Sequence, residues 1–257
     1  MRRLVAVIAL TCGVLVPVAP AGYVIDGSLA DWGVSPFSSW APAGTADFTQ
    51  TDNINLYNAD AYDEFYDVEA AYFDNDNQKF YMAIVGSYPM QPHAGSGDLG
   101  LDLNNNMHIS EHGIVTGLEY AIKIGTGTLG TVVFKPDWGD TIHYQWYDGW
   151  QGSPYWVNDN TGTVIGTATV ASQYYPNMED GTYILEVAVD RSLFPNNGGN
   201  VGDLVGIHWT MWCGNDSINL VGDIDPYEPP PVPVPATLLL ACLGTGVVGG
   251  LRRHRMM

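Results

Sequence analysis

Short runs of alternating apolar and polar residues, separated by clusters of Gly, Asn, Asp and Pro, fill the chain from residue 23 to residue 225. Alternation with a period of two is typical of half-buried strands, and no helical periodicity extends beyond two turns. The runs Asp67–Phe73 and Lys79–Val85 flank Asp-Asn-Asp-Asn at 74–77, which predicts a β-hairpin. Further strands are predicted at 99–103, 118–124, 131–134, 141–147, 162–170, 182–189, 204–211 and 217–220, and one helical turn at 191–194. The pattern predicts an all-β fold, a single antiparallel β-sandwich of jelly-roll type over 23–225.

The N-terminal end of the chain has a different pattern. Residues 1–22 combine Arg2 and Arg3, an apolar stretch, and the small residues at 19–21. These are the three parts of a secretory signal peptide, with cleavage expected before Gly22. The alternative is an N-terminal anchor helix, but two prolines interrupt the apolar stretch, which is also short for a membrane span. We therefore expect export, with the export translocon and a signal peptidase as partners.

The C-terminal part of the chain, like the N-terminal part, combines an apolar stretch with basic residues. Residues 226–235 are Pro-rich and predict an extended linker. Residues 236–257 place an apolar stretch before Arg252, Arg253 and Arg255. Clustered Arg residues resist translocation, so the pattern predicts a transmembrane helix whose basic end stays in the cytoplasm. The alternative is a buried core helix.

Composition and charge narrow the classes of function. The chain has 257 residues and is 46% hydrophobic, enough for one domain with a real core. It has 9 Lys and Arg residues against 28 Asp and Glu residues, a formal net charge of −19. Such a charge excludes nucleic-acid binding through phosphate contacts. Outside the two tails the one cysteine is Cys213, so we expect no intrachain disulfide and a buried thiol.

The C-terminal tail resembles the PEP-CTERM sorting signal. The matching parts are the motif Val232, Pro233, Val234 and Pro235, the apolar stretch, and the terminal Arg cluster. Val234 stands where that family usually has Glu. The resemblance implies sorting by an exosortase-type membrane enzyme. It also implies an exported protein that is anchored briefly in the inner membrane and then released to the cell surface or extracellular matrix.

Two further segments resemble family 9 carbohydrate-binding-module-like sandwiches. One is Val24–Trp32, which contains the phrase Ile-Asp-Gly and ends on Asp-Trp, and the other is Tyr183–Asp190. This resemblance implies the sandwich fold. It also implies an alternative function, recognition of an extracellular polysaccharide.

Several carboxylates are candidates for a cation site. Asp98 and Asp102 share one face of a predicted strand, while Glu69 and Glu119 lie on or beside two other strands. If these strands are neighbours, the four carboxylates converge, and a hard cation would relieve their repulsion. The hypothesis is a structural Ca²⁺ held by some of these residues. The alternative is a solvated acidic face, and no cofactor is otherwise required.

Aromatic residues concentrate between Trp138 and Trp156. Exposed indole rings stack on the faces of sugar rings, so Trp150 and Trp156 are the candidate ligand-binding residues. The alternative is packing in the core and between strands.

No motif indicates catalysis. The string His-Ile-Ser-Glu-His at 108–112 matches a metalloprotease pattern, but its surroundings favour a polar loop over the helix that such chemistry needs. Residues 102–106 resemble half of an EF-hand loop, which lacks the Gly and Glu that complete it. The chain contains neither a nucleophile elbow nor a phosphate-binding loop. We therefore expect a non-enzymatic protein of the cell surface or matrix.

Overall fold

A computed structural model describes the central part of the chain, which clusters into one compact unit from Gly22 to Tyr227. The described residues are 22–35, 39–50, 67–90, 95–110, 114–125, 127–141, 153–176, 181–214 and 216–226. This part is all-β, with antiparallel sheets and no helix of seven residues or more. Within it, no helix is long and apolar enough to cross a membrane.

Fifteen strands are described. In chain order they are β1 (Asp47–Gln50), β2 (Val68–Asn75), β3 (Lys79–Gly86), β4 (Leu99–Asp102), β5 (His108–Ile109), β6 (Val115–Thr116), β7 (Tyr120–Ile122), β8 (Thr131–Phe134), β9 (Trp138–Asp140), β10 (Pro154–Val157), β11 (Thr163–Thr167), β12 (Thr169–Tyr175), β13 (Thr182–Asp190), β14 (Leu204–Thr210) and β15 (Ser217–Asp223). One sheet has the order β1-β2-β3-β13-β12 and a second has the order β11-β8-β7-β4-β14-β15. The pairs β5–β6 and β9–β10 form two small additional sheets.

The two large sheets share one hydrophobic core. The five-stranded sheet contributes Phe73, Phe80, Met82, Leu185 and Val187, and the six-stranded sheet contributes Leu99, Leu101, Ile122, Ile207 and Trp209. All of these side chains are buried. Burial of one such side chain contributes roughly 1.5–3 kcal/mol, so this core is the main source of stability.

The five-stranded sheet is also covered on its outer face. The N-terminal segment 23–46 packs Leu29, Trp32 and Trp40 onto residues of that face, among them Tyr72 and Ile184. Because both faces of the sheet are buried, β2, β3 and β13 are almost continuously apolar instead of alternating.

Most of the predicted strands are confirmed. The hairpin is formed by β2 and β3, the predicted strand at 131–134 is β8, and the segments predicted at 99–103, 182–189, 204–211 and 217–220 contain β4, β13, β14 and β15. The helical turn after Asp190 is a 3₁₀ turn over Arg191–Leu193. Cys213 packs against the main core but is only half-buried, so the predicted buried thiol is confirmed in part.

Other predictions were wrong or incomplete. The predicted strand at 162–170 is two strands, β11 and β12, which belong to different sheets. Ala168 alone separates them, and one apolar residue carries no turn signal. Five short strands, β1, β5, β6, β9 and β10, were not predicted, because pairing partners rather than local alternation define them. The predicted strand at 141–147, the leader, the linker and the C-terminal helix lie outside the described residues, Gly22, Thr141 and Pro226 excepted.

Candidate functional site

Asp98, a predicted calcium ligand, is a buried anchor for backbone amides. It directly precedes β4 and is 1% exposed. Its Oδ1 accepts hydrogen bonds from the N–H groups of Ile124 (2.8 Å) and Gly125 (3.0 Å), and its Oδ2 accepts one from Val157 (2.9 Å). Burial raises the pKa of Asp98, while these bonds act in the opposite direction. Both carboxylate oxygens of Asp98 therefore already accept hydrogen bonds from backbone N–H groups of the protein.

Asp102 and Glu119 are neighbours, as the cation-site hypothesis requires. Asp102 is buried, and its oxygens accept hydrogen bonds from the N–H groups of Asn104 (2.9 Å) and Met107 (2.6 Å). Glu119 accepts a bond of 2.7 Å from the Asn104 side-chain amide. Partial burial first, and the charge of Asp102 second, raise the pKa of Glu119. This pair is the part of the predicted cation site that the fold brings together.

Glu69 lies elsewhere, in the five-stranded sheet, where its charge acts on Tyr72 of the outer face. Among the described residues, no group of three or more His, Cys, Asp or Glu side chains is arranged to hold a metal ion. Ca²⁺ prefers six to eight oxygen ligands, so Asp102 and Glu119 would need other donors. The alternative prediction, a solvated acidic face, was also wrong for Asp98 and Asp102, because both residues are buried.

Glu186 is a buried carboxylate that the sequence did not single out as a site. It lies on the outer face of β13, fully buried beneath the N-terminal segment. Its Oε2 accepts hydrogen bonds from the N–H groups of Gly27 (2.7 Å) and Asp26 (3.0 Å), and its Oε1 accepts one from the Trp32 indole (2.8 Å). The two segments that carry the binding-module resemblance are thus joined by this side chain, which acts as a clamp.

A second buried carboxylate links the two large sheets. Asp216 precedes β15 and accepts a hydrogen bond of 2.9 Å from the N–H group of Val68 at the start of β2. Its side chain also shares a hydrogen bond with the side chain of Asp67, which requires a proton between the two carboxyl groups. Burial first, and then this contact, raise the pKa of Asp216 to about 8.

His208 is buried in β14, and burial lowers its pKa to about 4, so the ring is neutral at pH 7. One ring nitrogen lies 3.0 Å from the Pro154 carbonyl oxygen and the other 2.8 Å from the Asn219 side chain. In the predicted polar loop, His108 and Ile109 form the exposed strand β5, whereas residues 111–113 lie outside the described part. Both described histidines are therefore accounted for by local structure.

A cavity of about 400 Å³ lies in the described part of the chain. It is lined by residues 114–119, which include β6, by Lys135 and Pro136, by Trp138 and Asp140 of β9, and by Pro154. The charged and aromatic side chains that line this cavity belong to Glu119, Lys135, Trp138 and Asp140. The Trp138 indole donates a hydrogen bond of 3.3 Å to the Leu118 carbonyl oxygen, which orients the ring at the wall.

Glu119 and Lys135 also line a second cavity of about 320 Å³, together with Asn104, Tyr120 and Asn200. Lys135 has a φ of 50°, an uncommon conformation for a residue with a side chain. Its N–H group donates to the carbonyl oxygen of Glu119 at 2.7 Å, which holds the two residues together. Carboxylates, amides and aromatic rings in this mixture suit a neutral ligand rich in hydroxyl groups.

Trp156, one of the two predicted sugar-binding residues, is 36% exposed on β10. Its indole lies across Gly139 of β9, where a Cβ atom would stand only 1.4 Å from the indole Nε1. Trp150, the other predicted residue, lies outside the described residues, as do the sorting motif at 232–235 and Arg252, Arg253 and Arg255. Trp138 was part of the aromatic concentration but was not chosen from sequence, because strand alternation does not show which ring borders a cavity.

Comparison with known proteins adds no relative. No protein-family model matches the sequence, no curated protein matches it, and no solved structure matches it.

Proposed function

We propose that this chain is an exported, non-enzymatic protein of the cell surface or extracellular matrix, sorted through a PEP-CTERM-type C-terminal signal. The single observation that carries the proposal is the extent of the compact unit, Gly22–Tyr227. It begins at the residue expected after signal-peptide cleavage and ends where the Pro-rich linker begins. The two Arg-bearing apolar tails of the sequence thus fall outside the unit.

The chemistry of the described part agrees with a structural role. Asp98, Glu186 and His208 are buried, and each is hydrogen-bonded by the protein's own groups. Groups held in this way support folding and are not available to a substrate. The two large sheets with their common core support the β-sandwich assignment, in the jelly-roll-like form that the sequence predicted.

The test is the intact mass of the protein recovered from the membrane and from the medium of a host that carries an exosortase-type enzyme. We expect a chain that begins at Gly22 in both fractions and that lacks the C-terminal tail in the medium. The variant Val234→Glu, which restores the usual family motif, should increase the released fraction. A full-length chain in the cytosol with both tails intact would contradict the proposal.

A second candidate function is recognition of a neutral extracellular polysaccharide. It is favoured by the partly exposed Trp156 and by the cavity with Trp138, Glu119 and Asp140. We expect Trp156→Ala and Trp150→Ala to weaken binding of oligosaccharides on a glycan array without changing the melting curve. Trp212→Ala is the matched control, because Trp212 is 42% exposed in the turn between β14 and β15. Absence of any binding at millimolar sugar would remove this candidate.

The structural Ca²⁺ stays a separate proposal, supported by the adjacency of Asp102 and Glu119. Binding of Ca²⁺ to the folded state alone would raise the melting temperature, and a chelator would lower it. Identical melting curves with Ca²⁺ and with chelator would remove the metal from the account.

A further inference from the structure

One continuous stretch of chain forms an edge of both large sheets. β11 is the last strand of the six-stranded sheet and β12 is the last strand of the five-stranded sheet. We call these strands, Thr163–Tyr175, the open rim. Among the described strands, β8 pairs with one side of β11 and β13 pairs with one side of β12, and no strand pairs with their other sides. The outer backbone groups of the open rim therefore face away from the two sheets.

Within the open rim, β12 lacks the usual protection of an edge, whereas β11 has a bulge between Val164 and Gly166. Natural edge strands are shielded by charged residues, prolines, bulges or short length. Thr163–Tyr175 contains neither a charged residue nor a proline and is rich in Thr, Val and Tyr, which favour strands. Val164 is 65% exposed and Tyr174 is 45% exposed. The open rim is thus a template for strand addition.

The opposite edge differs in its charge. We call β1 and β15, Asp47–Gln50 and Ser217–Asp223, the sealed rim. There Asp47 accepts a hydrogen bond of 2.8 Å from the N–H group of Asp223, so the two edge strands contact each other. Burial first, and then the charges of Asp223 and the nearby Asp74, raise the pKa values of Asp47 and Asp225. A second acidic molecule that approached the sealed rim would meet like charges.

These charges also indicate which partner suits the open rim. Each copy of the chain carries a formal net charge of −19, so two copies repel each other, and an uncharged contact surface adds no close like-charge pairs to that repulsion. The open rim is such a surface. An edge strand is also self-complementary, because two copies related by a two-fold axis pair their edges antiparallel.

We propose that the open rim is a self-association surface, on which β12 of one copy pairs antiparallel with β12 of a second copy and extends the five-stranded sheet across a two-fold axis. Main-chain hydrogen bonds supply the affinity, and the absence of charge makes the contact specific for this rim. This inference goes beyond the proposed function and does not depend on export.

Sedimentation velocity over a concentration series, on the chain as isolated, tests the proposal. The double variant Thr169→Asp, Gln173→Asp places charge at two exposed positions of β12. It should raise the dimer dissociation constant by at least about tenfold. The matched control is Val221→Asp, at a position of the sealed rim that is 53% exposed, and it should leave association unchanged.

Hydrogen exchange on the unmodified chain provides a readout that requires no variant. Amides of β12 should become more protected as the protein concentration rises, whereas amides of β15 should not. The proposal is overturned by a monomer at every concentration up to about 1 mM. It is also overturned by an association that survives the double variant, or by one that Val221→Asp abolishes equally.

Discussion

At the sealed rim the two large sheets end on strands distant in sequence, β1 and β15, whereas at the open rim they end on consecutive strands, β11 and β12. The sealed rim brings Asp47 and Asp223 together and places Gly222 against the Asp47 carboxylate and the Phe73 ring. The open rim has exposed Thr, Val and Tyr side chains and no charge. The same fold thus ends in a charged edge on one side and a neutral edge on the other.

This difference gives a strongly acidic chain one edge without charge, which is the edge at which we propose that two copies associate. Net charge of one sign keeps copies apart and limits aggregation. A strand edge without charge lacks this local repulsion, and its outer backbone groups are a template for pairing with a strand of another chain. For a protein proposed to act in a surface layer, the neutral edge offers a geometry for contact between copies. The following predictions test how each region contributes.

The largest effect is expected at the clamp Glu186, which holds the N-terminal segment on the outer face of the five-stranded sheet. Gly27 lies against the backbone of Gln173, and Tyr175 donates a hydrogen bond of 2.8 Å to the Gly27 carbonyl oxygen. Glu186→Ala leaves the buried N–H groups of Gly27 and Trp32, and the N–H group of Asp26, without their acceptor. The free energy of unfolding should therefore fall by about 3 kcal/mol or more. Chemical denaturation measures this loss. Glu186→Gln retains an acceptor oxygen and should lose less, and a loss below about 1 kcal/mol in Glu186→Ala would contradict the clamp.

The next largest effect is the pH dependence of stability that comes from the carboxyl pair Asp67 and Asp216. The native state holds the proton of Asp216 up to about pH 8, whereas the unfolded chain releases it near the ordinary value of 3.8. The native state therefore binds more protons between these two values, and its stability falls as pH rises through that interval. We expect this pair to contribute a decline on the order of a few kcal/mol between pH 4 and pH 8.

Urea denaturation as a function of pH measures that decline. Asp216→Asn can still accept the hydrogen bond from Val68 and donate one to Asp67, so it should remain folded and lose most of the pH dependence. The comparison of the two proteins cancels the titration of distant groups. Parallel pH profiles for the original chain and the variant would refute the shared proton.

A smaller effect is expected from steric substitution inside the sealed rim. A Cβ atom at Gly222 would lie 2.6 Å from the Asp47 carboxylate and 2.6 Å from the Phe73 ring. Gly222→Ala should therefore separate β15 from β1 and lower the free energy of unfolding by about 1–3 kcal/mol. The adjacent Val221→Ala, at an exposed position, is the control and should change it by no more than about 0.5 kcal/mol. Equal effects in thermal melts of the two variants would show that the rim is not tightly packed.

The smallest effect on stability is expected at the open rim. Val164 is largely exposed, so Val164→Lys should change the free energy of unfolding by no more than about 0.5 kcal/mol. The same change should slow aggregation on mild heating, because a charge on an edge strand hinders strand addition. Light scattering during a temperature ramp measures it. Unchanged aggregation would indicate that another exposed surface controls it.

The strands were predictable where local pattern and turn residues agree. The β2–β3 hairpin has apolar runs on both sides of Asp-Asn-Asp-Asn, and β8 is a short β-branched run between turns, so both were correctly placed. β11 and β12 were predicted as one strand because the chain passes between sheets at Ala168 without a turn residue. β9 and β10 escaped prediction because three or four residues carry too little periodicity.

The candidate sites were predictable only in part. Alternation correctly placed Asp98 and Asp102 opposite Leu99 and Leu101, which face the core. It could not show that the backbone N–H groups of Ile124 and Val157 donate hydrogen bonds to the Asp98 carboxylate, because those residues come from distant segments. Glu186 was invisible as a site for the same reason, because its partners in the N-terminal segment are about 160 residues away.

Local chemistry in the chain was enough to establish an all-β, acidic middle region between two apolar ends that carry Arg. Alternation, turn residues and charge are properties of neighbouring residues and can be read without coordinates. The pairing of edges, the covering of an outer sheet face and the burial of single carboxylates depend on which distant segments meet. These long-range contacts made Glu186 a clamp and Asp216 a link between sheets, and they left Thr163–Tyr175 as an uncharged edge.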